Sequence, residues 1–472
     1  MNSNTASPPR GDTGVQEELY AKRKNIYPRQ VHGIFATFRT LGVIILLGLY
    51  YGLAWLQWGG HQAVLFDLPA RKFYIFGLTF WPQDFFYLAV LLIIAALSLF
   101  FFTAIAGRIW CGYACPQTVW TEVFLWIERK IEGDRPKQIK LAQAPWGPRK
   151  IALKGSKHVA WIVFSAWTGF TFVGYFTPIR ELGVNVMTLS MGPWETFWTL
   201  FYGFATYGNA GWLREQVCIY MCPYARFQSA MFDRDTLIIS YDEGRGEPRG
   251  ARRRGPAPWE LGLGDCIDCT MCVQVCPTGI DIRDGLQYQC IGCAACIDAC
   301  DDVMDKMGYP RGLIRYTTQN ALEGRRTRIL RPRVVVYGLI LLALLGGLIY
   351  AIVQRVPLEL DIMRDRNTLY RETGLGLVEN VYTLKLINMN DRAHTYRLSA
   401  TGIEGLELIN RQGDVTVPAG EAVNLPVQVR IDPTQLRQAA SEIRFTAAAI
   451  DAPALTATEA ARFIGPAPRG NP

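Results

Sequence analysis

The chain has 472 residues, of which 50% are hydrophobic and 12% aromatic, with 49 Lys and Arg against 41 Asp and Glu. That length would ordinarily make two or three soluble domains. The apolar residues come in long blocks, which excludes a wholly soluble protein, and nothing in the composition calls for a nucleic-acid partner.

Residues 1–33 form a largely polar arm, with Ser, Pro and Gly at its start, for which disorder is expected. They contain no apolar core of the kind a cleavable signal peptide needs. A four-span membrane domain is predicted over 34–241, with spans at Ile34–Trp55, Phe85–Ala106, Val159–Phe176 and Trp194–Ala210. The fourth is the least apolar, being interrupted by Glu195, Asn209 and several glycines. A Gly, Pro and Arg-rich linker follows at 242–259. A cysteine-rich domain is predicted over 260–333 and a fifth span at Val334–Val353, within 334–354. Beyond it, short alternating runs at Tyr382–Ile387, Thr395–Ala400, Val423–Ile431 and Glu442–Ile450 predict a small β-sandwich over 355–472.

Lys and Arg number 5 in 1–33, 2 in 56–84, 10 in 107–158, 1 in 177–193 and 17 in 211–333. High and low alternate across all five spans, which predicts a cytoplasmic N-terminus and an extracytoplasmic C-terminal domain, periplasmic in a Gram-negative cell. The 12 cysteines agree, since all fall between Cys111 and Cys300, in segments predicted to face the reducing side or its membrane edge. The protein is expected in the bacterial inner membrane, in contact with lipid. The triplet Arg252–Arg254 suits either anionic headgroups or a solvated linker.

The chemistry lies in two runs of C-x2-C-x2-C-x3-C within Cys266–Cys300. This is the spacing of a two-cluster bacterial ferredoxin, in which the fourth cysteine of each run serves the other cluster. One [4Fe–4S] cluster would take Cys266, Cys269, Cys272 and Cys300. The second would take Cys290, Cys293, Cys296 and Cys276. Paired zinc sites and disulfides fit so dense a reduced set poorly. Pro277 follows the first run, whereas Asp301 stands at that place after the second.

A second pattern is C-x3-C-P, found after the second span (Cys111, Cys115, Pro116) and again after the fourth (Cys218, Cys222, Pro223). It marks an internal duplication of two spans plus motif. Thiols at i and i+4 share a helix face, and these four could hold Cu(I), an iron–sulfur cluster or a dithiol/disulfide couple. The plainer alternative is that they are small buried apolar residues. His32 and His158, near the predicted inner surface, are weak candidates for haem ligands, and Met187 and Met191 for copper. His394 gives the β domain no evident catalytic chemistry, so that domain reads as a docking module.

The two C-x3-C-P elements, the phrase CPTGIDIRDGLQYQCIGCAACIDACD at 276–301, the fifth span and the β-rich tail together resemble the FixG/RdxA/CcoG family of cytochrome c oxidase accessory proteins. The resemblance implies an α-helical polytopic membrane protein with a cytoplasmic two-[4Fe–4S] ferredoxin domain and an immunoglobulin-like tail. It implies a cupric reductase supplying Cu(I) for assembly of a cbb3-type oxidase, with oxidase subunits, copper chaperones or copper transporters as partners. The cytoplasmic electron donor is unknown, and a homodimer is compatible with this reading. Two alternatives stay open. One is a quinol dehydrogenase subunit similar to the NapH type, which ends after its cluster region. The other is a non-redox assembly scaffold.

Overall fold

The computed structural model describes residues 25–466 except 230, 256, 366–367 and 391, and leaves aside the side chains of 226 and 229. Among the described residues three helices are long and apolar enough to cross a membrane: Ile34–Leu53, Pro82–Ala106 and Pro332–Val353. Their large side chains face outward, as Ile44, Leu91 and Leu342 do. Such exposure suits a hydrocarbon surround. The second and third of them pack antiparallel. Tyr87 donates to the Ala351 carbonyl (3.3 Å), and at the other end Phe101 lies against Gly338.

The expected third and fourth spans fall in the helices Pro148–Val173 and Pro193–Thr206, the latter continuing in π-helical turns through Leu213. This pair is less apolar because it turns polar residues inward: Ser165, Thr168 and Thr171 are buried. Backbones close in where Gly169 faces Thr199 and Gly203, a crossing that leaves no room for a Cβ at Gly169.

The helix ends sort into two layers. At one end, the connection 56–84 folds into small antiparallel sheets that composition did not announce. Phe66 donates to the Tyr175 carbonyl there, and Arg355 reaches Thr79 and Asp84. At the opposite end sit both C-x3-C-P elements and the cysteine-rich domain. That domain is closed by the antiparallel strands Ile238–Tyr241 and Ile314–Thr317 around Ile239, Ile297, Met304 and Leu313.

The C-terminal domain is a two-sheet sandwich. One sheet runs in the order Glu407–Ile409, Ala422–Ile431, Val378–Asn388, Leu358–Arg364. The other runs Val415–Val417, His394–Thr401, Ala440–Ala449, Thr456–Ile464. Tyr382 and Phe445 meet edge to face in the core, ring centroids 5.0 Å apart, and the Tyr382 hydroxyl donates to the Arg462 carbonyl.

Two sequence expectations need correction. The expectation of disorder in the N-terminal arm concerns, up to residue 24, positions outside the described residues. Residues 25–33, however, are held in place: Arg29 N–H donates to the Gln274 carbonyl and Arg135 to that of Tyr27. Residues 242–252 of the linker are likewise held against the cysteine-rich domain, while Arg253 and Arg254 are exposed. Arg252 donates to the Gly264 and Cys266 carbonyls and to the Tyr309 hydroxyl, with its guanidinium over the Tyr309 ring. The carbonyls of the first cysteine and of Gly264 just before it give that arginine partners within the protein.

Candidate functional site

The eight ferredoxin-run cysteines line two small separate cavities. One is walled by Cys266, Cys269, Cys272 and Cys300 with Met304 and Ile314. The other is walled by Cys276, Cys290, Cys293 and Cys296, with Cys272 on the partition between them. With Cys272 counted in the first cavity, each cavity draws three thiols from one run and the fourth from the other, although Cys272 lines both. The local fold repeats too. The residue after each second cysteine, Thr270 (φ 55°) and Ala294 (φ 58°), is left-handed and caps a following helix. Non-glycine residues held there are strained. Each kink lies between the second and third cysteines of a run, whose first three cysteines line one cavity.

Burial pushes the thiols of Cys272, Cys293 and Cys300 up to about 12. Thiolates so deep need compensating positive charge. Iron supplies it when a cluster is bound, and the donor set fits two such clusters. Nearby Arg283, held by Asp281 and Asp268, and Arg39, which donates to the Cys293 carbonyl, add fixed charge.

The C-x3-C-P elements repeat one backbone closure. Cys115 N–H donates to the Trp110 carbonyl and Cys222 N–H to that of Val217, both at 2.8 Å, and each second cysteine leads into a helix beginning with proline. The two elements also interlock. Gln117, beyond the first, donates to the Asn209 and Arg214 carbonyls ahead of the second. Gln228, beyond the second, donates to the Gly107 carbonyl ahead of the first and lies 3.8 Å from the Cys111 sulfur. All four thiols are half-buried. Burial first, and then the negative charge of the other three against the attraction of Arg108, pushes Cys111 up to about 12. Cys218 rises to about 11 for the same chief cause.

This thiol quartet abuts the second cavity. A Cβ on Gly112 would lie 2.7 Å from the Gly292 carbonyl oxygen and 2.9 Å from the Cys293 Cα. Arg108 bridges the same gap, donating to the Ala225 carbonyl (2.6 Å) and the Cys290 carbonyl (3.2 Å). Beside the junction opens a cleft of about 570 Å³ whose walls include Cys218, Cys293, His32, Glu122 and the apolar Leu41 and Ile44. His158 is engaged elsewhere, hydrogen-bonded to Tyr207 and stacked on Trp212.

With this geometry in view, the 4Fe-4S dicluster domain family matches residues 213–319, a 4Fe-4S binding domain family matches 88–133, and the IG-like fold at the C-terminal of FixG matches 348–466. Protein RdxA of Cereibacter sphaeroides is 42% identical over 83% of this chain and 85% of its own length. The nitrogen fixation protein FixG of Rhizobium meliloti is 40% identical over 82% of this chain and 81% of its own length. The chain belongs to the FixG/RdxA family. It is a membrane iron–sulfur electron-transfer protein, as that family and its 4Fe-4S domains require. A solved FixG-related protein from Vibrio parahaemolyticus is 32% identical and covers 23% of this chain and 95% of its own, with a TM-score of 0.21.

Sequence reasoning missed how this FixG/RdxA chain docks its soluble part on the membrane part. Asp298, buried between two cysteines of the second run, accepts from the N–H groups of Phe35 (3.2 Å) and Ala36 (2.7 Å) at the start of the first membrane helix. A carboxylate there satisfies orphan donors and meets the helix dipole. Also missed was a buried ion network. Glu128 and Glu132 take Lys154, Lys157 and Arg214 at 2.7–3.3 Å, tying the helix after the first C-x3-C-P to the approach of the second. Acidic residues at helical spacing, Glu128 and Glu132, were the available signal.

Proposed function

We propose that this protein is a five-span inner-membrane cupric reductase that passes single electrons from a cytoplasmic reductant to Cu(II), supplying Cu(I) for assembly of a cbb3-type cytochrome c oxidase. The observation that carries the reading is the junction of Gly112 with Gly292, which sets the membrane-edge thiol quartet directly against one ferredoxin cavity. Bound clusters would supply one-electron chemistry, with Cys266, Cys269, Cys272 and Cys300 holding one and Cys276, Cys290, Cys293 and Cys296 the other. The chain's own part is positioning. The left-handed kinks aim the thiols, Arg283 and Arg39 offset their charge, and Asp298 fixes the domain to the membrane helix. Each Cu(II) takes one electron and no proton, so no general base is needed. Soft thiolates favour Cu(I) over Cu(II), which raises the driving force at the quartet. The loop charges support a cytoplasmic cluster domain and a periplasmic sandwich that docks the oxidase or its copper-supply partners.

The cleft favours a second reading. Its apolar wall and its contact with Cys293 would suit a quinol headgroup, making this a quinol dehydrogenase. Reduced protein, prepared anaerobically, is challenged with Cu(II) or with a ubiquinone analogue. Rapid reoxidation by copper with release of chelatable Cu(I), and a far slower response to quinone, is expected. The opposite order would replace the first reading with the second.

A further inference from the structure

We propose that Arg253 and Arg254, with Trp259 and Leu261 on the turn that follows, form the docking face for this protein's electron donor, and that the donor is a small acidic one-electron carrier protein. The inference rests on the reading of a soluble reductant as the source of electrons and is independent of the acceptor.

The order of the parts sets where electrons enter. The strand Ile238–Tyr241 leaves the membrane edge, where Leu237 N–H donates to the Ile105 carbonyl at the end of the membrane helix Phe85–Ala106. Along the strand, Ile239 walls the cavity of Cys276, Cys290, Cys293 and Cys296, and Tyr241 walls that of Cys266, Cys269, Cys272 and Cys300. The helix Ala295–Met307 follows the same order. Asp298 caps the first membrane helix, Met304 lines the Cys266 cavity, and a Cβ on Gly308, just past the helix end, would lie 4.0 Å from the Arg254 guanidinium. Ten residues of helix put that end about 15 Å from Asp298. The Cys266 cavity is therefore the membrane-distal one, and Arg254 stands beyond it, away from lipid headgroups. On this cavity Cys269 is exposed, whereas the other eleven cysteines are buried or half-buried.

The surface beside that opening is positive. Residues 247–263 carry Arg249, Arg252, Arg253 and Arg254 against Glu247 and Glu260. Arg249 pairs with Glu247, and Arg252 is engaged by the Gly264 and Cys266 carbonyls and the Tyr309 ring. These contacts pin the linker next to Cys266 and leave Arg253 and Arg254 exposed. Nearby acids are already matched: Asp268 by Arg283, Asp302 by Lys306 and Asp305 by Arg311. The turn Pro258–Leu261 returns to the same place, since Leu263 N–H donates to the Pro258 carbonyl and Gly250, against which Leu263 packs, donates to the Cys266 carbonyl. That turn presents Trp259, 79% exposed, and Leu261, 48% exposed. Charge that steers an approach and a small apolar patch that holds it briefly are what a transient electron-transfer encounter requires. An acidic partner complements the arginines.

The transfer itself is simple. The carrier is oxidised by one electron, the centre held by Cys266, Cys269, Cys272 and Cys300 is reduced by one, and no bond forms or breaks and no proton moves.

The test uses the full-length, iron-loaded protein in detergent without copper. It is mixed anaerobically with a reduced plant-type [2Fe–2S] ferredoxin in stopped flow, and binding of the oxidised ferredoxin is measured by calorimetry. The wild type should be reduced at a rate that falls steeply with ionic strength. Arg253→Glu/Arg254→Glu should slow reduction about tenfold or more at low salt and flatten the salt dependence. Trp259→Ala should weaken binding about tenfold with the salt dependence kept. Arg326→Glu/Arg328→Glu, the same charge change near Asp235 at the membrane edge, should behave as wild type. Unchanged iron content and unchanged reduction by photoreduced deazaflavin show that a variant is intact. Equal slowing by both double variants would reduce the effect to net charge, and a wild-type rate in Arg253→Glu/Arg254→Glu would remove the face. Either overturns the proposal, as does a ferredoxin that neither binds nor reduces the wild-type protein. Native mass spectrometry counts bound phosphatidylglycerol, and its loss from Arg253→Glu/Arg254→Glu would assign the arginines to the membrane instead. Because the assay holds no copper, failure here is read apart from failure of the cupric-reductase reading, which the reoxidation experiment decides.

Discussion

Gly112 and Gly292 meet backbone to backbone, one in the first C-x3-C-P element and the other in the loop between Cys290 and Cys293. No side chain separates the two thiol systems at that point. Gly112→Ala would have to push the Gly292 peptide away, at a cost of about 1–3 kcal/mol for overpacking. We expect its ferredoxin clusters to assemble, while electron transfer from the reduced clusters to an external acceptor slows. Gly292→Ala should be worse, because φ there is +68° and its Cβ would also meet the Arg108 carbonyl. Iron analysis and stopped-flow reoxidation check both. A Gly112→Ala protein with full iron and an unaltered rate would remove this contact from the electron path.

Exchange of the fourth ligand gives a sharper outcome. Cys276 belongs in sequence to the first run, yet it lines the cavity of Cys290, Cys293 and Cys296. Cys276→Ser should therefore lower the occupancy of the cluster built mainly from the second run and leave the other in place. EPR of the reduced variant reads this directly. Loss of the cluster built on Cys266, Cys269 and Cys272 would refute the crossed assignment.

The turns of the two cysteine runs were legible because each run encodes its own locally; which cluster the fourth cysteine of each run serves is decided by the Cys276 exchange. The long apolar helices and the four principal strands of the sandwich were legible from periodicity. The strands Leu358–Arg364 and Thr456–Ile464 were not foreseen. Both lie at sheet edges, where alternation is relaxed, as in the exposed face of Thr456–Ile464. The convergence of the two C-x3-C-P elements could be raised from their duplication. It could not be derived, because Gln117 and Gln228 act across about a hundred residues of chain. Asp298 was invisible for the same reason. Nothing near it in sequence tells a cap for a distant helix from a solvated acid.

That cap can be tested. Asp298→Ala removes the acceptor for the Phe35 and Ala36 N–H groups, and the fit of Gly33 beneath Asp298 leaves little room for another side chain to take over. A loss of about 1–2 kcal/mol is expected, typical of deleting a helix cap. It should appear as faster proteolysis between the first membrane helix and the cluster domain. Asp298→Asn, which keeps one carbonyl acceptor, should recover part of it. Equal proteolysis in all three proteins would show that the domain is anchored by other contacts.

Sidedness is a separate question with a direct assay. A reporter active only in the cytoplasm should work when fused after Arg254 and stay silent after Arg411, if all five predicted helices cross. An active reporter at Arg411 would mean that the pair Pro148–Val173 and Pro193–Thr206 does not contribute two crossings as proposed.

The buried network yields a pH dependence of defined sign. Burial alone would raise the Glu128 carboxyl, but Arg214 and Lys157 outweigh it and hold the group below its ordinary value of 4.5. A carboxylate depressed in the folded state contributes stability that is fully present above pH 4.5 and is lost as pH falls through the lowered value. Thermal unfolding in detergent should therefore show a loss of stability below that point, part of which disappears in Glu128→Gln. At neutral pH the same variant leaves Arg214 and Lys157 short of a buried counter-charge and should lose about 3–5 kcal/mol. The helix carrying Glu128 begins at Pro116, directly after Cys115. The damage should therefore spread to the thiol quartet while the distant sandwich unfolds as before. A variant with wild-type stability at pH 7 would mean that Glu132 alone neutralises the lysines, leaving Glu128 without a structural role.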